Sequence, residues 1–128
     1  MNNFKRSFFI GLSILIFSIL VANAQELKKD EKIDNIKNLH NNNENLSVKQ
    51  LFKGKEGITR SLQLKKDALL KEHITKIEAL LICISGEALY EDEKGNKKSL
   101  KIGDYIIIEP MVKHWVKATE DSQLLLIK

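Results

Sequence analysis

The chain has 128 residues, with 21 Lys and Arg against 17 Asp and Glu, a formal net charge of +4 and only 6% aromatic residues. Lys and Glu alternate through most segments, so no basic face interleaved with aromatics is available to a nucleic acid, and that class of partner is excluded. The single cysteine, Cys83, rules out an internal disulfide and leaves the fold to stand on packing alone.

The first segment has the order of a secretory signal. Lys5 and Arg6 precede an apolar run from Phe8 to Ala22, and the small-residue triplet Ala22-Asn23-Ala24 precedes Gln25. The run is shorter than the roughly 20 residues of a bilayer-spanning helix and contains Gly11, Ser13 and Ser18. The expectation is cleavage after Ala24, a secreted or periplasmic product and no permanent membrane anchor. With Lys5 and Arg6 removed, the net charge falls from +4 to +2. Residues 25–45 are dense in Lys, Asp, Glu and Asn, with Leu27, Ile33, Ile36 and Leu39 as the apolar positions, which predicts a polar linker or one short helix. His40, in this stretch, reads as an incidental solvent-facing residue.

From residue 46 to 128 the texture changes. The segments SVKQLF, ITRSLQL, IEALLICI, EALYED, KKSL, YIIIE, HWVKAT and SQLLLIK are separated by Lys53-Gly54-Lys55, Ser85-Gly86, Lys94-Gly95-Asn96 and Ile102-Gly103-Asp104. This spacing predicts an all-β sandwich or barrel, with a hairpin at Gly95-Asn96 and a strand ended by Pro110, the single proline. Cys83 within LLICIS reads as a buried small hydrophobe. Ala79, Leu81 and Cys83 share one face of their strand, and Leu80, Ile82 and Ile84 share the other. A strand apolar on both faces needs cover on both, which predicts a homodimer.

Two stretches, EHITKIEALLICISGEALY and GDYIIIEPMVKHWVKA, resemble motifs of the cupin superfamily, specifically small single-domain cupins. In the first, His73 takes the first histidine's place and Gly86 that of the closing glycine. In the second, Gly103 and His114 keep the spacing, Pro110 falls one residue late and Met111 occupies a glycine position. The resemblance implies a cupin jelly-roll β-barrel with a pocket. In metal-binding cupins two histidines and a glutamate of the first motif join the second motif's histidine around one ion. Here Thr75 stands in place of the second histidine and Ala79 in place of the glutamate.

His73 and His114 are therefore the candidate metal ligands for iron, manganese or zinc. Glu78 could complete a two-histidine, one-carboxylate set only if a local bulge turned it inward. His73, Glu78 and His114 are equally the candidate contacts of a plain binding pocket, and either imidazole could move protons near neutral pH. Trp115 should point away from the pocket, toward packing or a partner subunit. The reading is an exported small cupin-domain protein that binds a small molecule in its barrel with a degenerate metal site. The alternative is a metal-dependent cupin enzyme of oxygenase or isomerase type using the same three residues.

Overall fold

In the computed structural model of the protein, residues 33–128 are described. The expected signal peptide and the first part of the expected linker lie outside them. Nine strands follow one another: β1 (Leu46–Lys53), β2 (Ile58–Leu64), β3 (Leu69–His73), β4 (Ala79–Ser85), β5 (Ala88–Asp92), β6 (Lys97–Leu100), β7 (Tyr105–Ile108), β8 (His114–Ala118) and β9 (Ser122–Ile127). All pairs are antiparallel, in a five-stranded sheet of order β1-β2-β9-β4-β7 and a four-stranded sheet of order β3-β8-β5-β6.

The expected barrel is not closed. β1 and β7 are free edges of one sheet, and β3 and β6 of the other. The reason lies at the corner between β6 and β7. There the Lys101–Asp104 turn bonds to β4 rather than forming a hairpin: Gly103 N–H donates to the Cys83 carbonyl at 2.8 Å, and Cys83 N–H donates to the Asp104 carbonyl at 2.9 Å. The chain thereby crosses from one sheet to the other, and the two strands flanking the turn stay unpaired with each other.

Alternation fixes which side chains enter the core. Leu62, Leu64, Leu81, Cys83, Ile108 and Leu124 project from the larger sheet, and Ala88, Tyr90, Leu100, Val116 and Ala118 meet them from the smaller one. Each fully buried Leu contributes roughly 1.5–3 kcal/mol. Cys83 is fully buried as expected, and burial raises its thiol pKa. The hairpin falls where Gly95-Asn96 predicts it. Asp92 closes it by accepting from the backbone N–H groups of Lys94 and Asn96, each at 3.0 Å, and from the Asn96 side-chain amide at 2.9 Å.

Gly86 is required twice over. Its φ is +77°, and an added Cβ would lie 2.1 Å from the Asp121 carbonyl oxygen. Met111, in a position the cupin motif gives to glycine, also takes a left-handed φ of +64°. Pro110 follows the end of β7.

Two elements depart from the sequence expectations. β3 is absent from the predicted strands because its residues, LLKEH, lack β-branched side chains; its pairing with β8, not local propensity, makes it a strand. The described part of the linker is also not a plain tether. Ile36–Leu39 forms a 3₁₀ turn capped by the Asn35 side chain. His40, expected to face solvent, is buried on the outer face of β1 and β2, with its ring nitrogens 2.9 Å from Ser47 Oγ and 2.8 Å from Ser61 Oγ. Burial lowers its pKa, as does nearby Lys49, while Glu44 opposes them. Two hydroxyls that only the folded pairing of β1 with β2 brings together supply its cover. Among the described residues no helix is long and apolar enough to cross a membrane.

Candidate functional site

His114 opens β8 and faces inward with Val116 and Ala118. His73 closes β3 and sits directly opposite His114 in the antiparallel pair, so both side chains share one face. A register shift between Leu70 and His73 sets that pairing. On the other flank of β8, Asp92 of β5 is the residue opposite His114. The row His73–His114–Asp92 thus crosses three strands. The imidazole rings of His73 and His114 meet edge to face at a centroid distance of 4.2 Å, and the Tyr90 ring stacks on His114 at 5.7 Å.

Backbone carbonyls fix the tautomers. His73 Nδ1–H donates to the Lys71 carbonyl at 2.8 Å, and His114 Nδ1–H donates to the Val112 carbonyl at 3.0 Å. A carbonyl can only accept, so Nδ1 carries the proton in each ring and each neutral imidazole presents the Nε2 lone pair. Burial holds the His114 pKa below its ordinary value; the Val112 carbonyl opposes the shift, His73 adds to it and Asp92 opposes it. Burial raises the Tyr90 pKa, reinforced by Asp92 and Glu109, so the phenol stays protonated. For Asp92 the penalty of burial is outweighed by the hydrogen bonds from Asn96 and Lys94, and its carboxyl titrates below the usual range.

Thr75 occupies the loop between β3 and β4. Its carbonyl accepts from Met111 N–H at 2.7 Å, which ties the segment after His73 to the segment before His114. Its hydroxyl is buried and has no hydrogen-bond partner among the described residues. A cleft of about 250 Å³ opens between the smaller sheet and β7, with Tyr90, Asp92 and Glu109 among its lining residues. Tyr90 is common to this cleft and to the imidazole pair.

Glu78 is not part of this arrangement. The register of β4 on β7 is regular from Ala79 to Ile82, with no bulge at its start, so Ala79 turns inward and Glu78 stays exposed. Glu78 lines a shallow outer depression with Leu80, Ile107 and Ile127. No group of three or more His, Cys, Asp or Glu among the described residues could hold a metal ion. The donor set therefore does not fit the four-ligand cupin centre: two of its positions hold Thr75 and Ala79, and the adjacent carboxylate of Glu78 faces outward.

Trp115 points to the outer face as expected, where Nε1–H donates to Glu91 Oε2 at 2.6 Å and Glu91 pairs with Lys97 at 3.0 Å. Tyr90 and the orphaned Thr75 hydroxyl were absent from the expected contacts. The alternation Ala88-Tyr90-Asp92 could have pointed to the first, and the place of Thr75 at the motif's second-histidine position to the second.

No protein-family model and no curated protein sequence matches the chain. Solved structures do. A cupin superfamily protein from Desulfitobacterium hafniense superposes with a TM-score of 0.67 at 16% identity, covering 77% of this chain and 91% of that one. KdgF from Halomonas sp. gives 0.59 at 19% identity, over 65% of this chain and 78% of that one. The DMSP lyase DddQ from Ruegeria pomeroyi gives 0.61 at 13% identity, over 65% of this chain and 46% of that one. The two-sheet architecture is thus the cupin jelly-roll fold.

Proposed function

We propose that this is an exported cupin-domain protein that binds a small, uncharged, hydroxylated molecule between its sheets, with His73 and His114 as the polar contacts. The observation that carries this is the pair of imidazoles with both Nδ1 protons held by backbone carbonyls. Two Nε2 lone pairs call for hydrogen-bond donors, and ligand hydroxyls are donors. The carboxylate of Asp92, opposite His114 in the register, disfavours an anion there. Glu78 has no part in the contact. The metal-dependent enzyme reading lacks a third ligand in this arrangement and is the weaker of the two.

The outer face of the larger sheet fits a second copy of the chain. Ile107, Leu80 and Ile127 form one apolar cross-strand row, Tyr105, Ile82 and Leu125 form the next, and Ile107 and Tyr105 are mostly exposed. A two-fold dimer would pack this face against its own copy. A light-scattering mass of one chain would remove the dimer from this reading.

The binding site is tested by scanning fluorimetry of the protein against a panel of monosaccharides and polyols, alongside metal analysis of chelator-free protein. A stabilising compound should lose about tenfold in affinity with His73→Ala and His114→Ala and bind Glu78→Gln unchanged. Stoichiometric metal that both histidine variants lose would replace this reading with the metal-dependent one.

A further inference from the structure

A second cleft lies away from the histidines, on the outer face of the larger sheet. It measures about 360 Å³, within the range of small-molecule sites. Its floor is a polar cross-strand row. Gln63 of β2 lies directly opposite Gln123 of β9, and Gln123 lies opposite Ser85 of β4. Strict alternation would not put Ser85 there, because Cys83, two residues earlier, faces the core. A register shift between Cys83 and Ser85 leaves Ile84 unpaired and turns Ser85 outward beside Gln123. A bulge re-aims a hydroxyl into a cleft that two amides already line.

Gln123 is 93% buried, being 7% exposed, yet its side-chain amide takes no hydrogen bond from any described residue, and neither do the Gln63 amide and the Ser85 hydroxyl. Among the described residues only the Thr75 hydroxyl is both buried and unpartnered, so these amides and the Ser85 hydroxyl reach solvent through the cleft, where a polar occupant would take hydrogen bonds now left to water. The walls give the sign of that occupant. Lys37 and Lys65 bring two positive charges, the Lys65 ammonium already donating to the Asn42 carbonyl, against the single carboxylate of Asp121, which accepts from Lys66 N–H at 2.8 Å. The wall bearing Lys37 is latched in place by His40, the residue immediately after the helical turn, which is bonded to Ser47 and Ser61.

We infer that this cleft is a second binding site, independent of the histidine pair, for a small carboxylate that also carries hydroxyl groups. The carboxylate sits toward Lys37 and Lys65, and the hydroxyls exchange hydrogen bonds with Gln63, Gln123 and Ser85, each of which can donate and accept.

The test is an NMR titration of the isotope-labelled protein with sodium malate, with glycerol as the uncharged control. The expected result is saturable shifts at the Gln63 and Gln123 side-chain amides and the Ser85 backbone, none at the His73 and His114 rings, and no saturation by glycerol. Gln123→Leu should weaken malate binding about tenfold or more. Gln123 lies on a central strand, so Lys37→Gln, on the exposed wall, is the second variant and should weaken binding several-fold while leaving the fold intact. Absence of saturation at millimolar malate, unchanged affinity in Lys37→Gln, or shifts centred on the histidine rings would each overturn the inference. None of these outcomes depends on what the histidine pair binds.

Discussion

Thr75→Val should make the protein more stable. The Thr75 side chain is 4% exposed and its hydroxyl has no partner among the described residues, while its carbonyl is already committed to Met111 N–H. A buried, unsatisfied hydroxyl costs about 1–3 kcal/mol, and Val has nearly the same shape with a methyl in its place. The replacement should therefore stabilise by about 1–3 kcal/mol, equivalent to a rise in Tm of roughly 4–8 °C per kcal/mol for a domain of this size. Urea unfolding followed through Trp115, the single tryptophan, reads the change as a shift in midpoint at constant slope. A Val variant that is no more stable than the parent would refute the argument, since the hydroxyl would then be satisfied in the native protein.

Met111→Gly should stabilise by about 0.5–1 kcal/mol in the same assay. It relieves a left-handed backbone that costs an L-residue about 1–2 kcal/mol, and the entropy of the new glycine takes back part of the gain. Gly86→Ala should cost about 3 kcal/mol or more, or prevent recovery of folded protein, because φ and the Asp121 carbonyl both exclude a Cβ. Acid should weaken the fold. Burial is the main cause holding both His40 and His114 below 6.5, so their contribution is complete above that pH. It falls as pH drops through 6.5, where unfolded imidazoles take up protons that folded ones do not. Urea midpoints measured between about pH 8 and pH 5 should decline, with a shallower decline in His40→Gln.

Much of this molecule is local and therefore legible in its sequence. The alternation of Ala79, Leu81 and Cys83 against Leu80, Ile82 and Ile84 assigns the two faces of β4, and the same parity sends Trp115 outward from His114. Gly95-Asn96 specifies the hairpin, and Gly86 stands where a left-handed backbone and a close carbonyl demand it. Each of these follows from a residue's own conformational preference or from a period of two. His73 and His114 were named by the resemblance to the cupin motifs, and that they meet is a matter of register.

The remainder depended on pairing between distant segments, which no local pattern encodes. β3 is a strand because β8 offers it an edge, and its register sets His73 opposite His114. Glu78 faces outward because β4 runs onto β7 without a bulge, whereas Ser85 faces outward because β4 runs onto β9 with one. His40 lies in an asparagine-rich stretch that reads as solvent-exposed, yet β1 and β2 bring Ser47 and Ser61 together around its ring. The sequence by itself determined which residues could face inward. The tertiary structure decided which actually converge, because a one-residue shift in register moves a side chain to the opposite face.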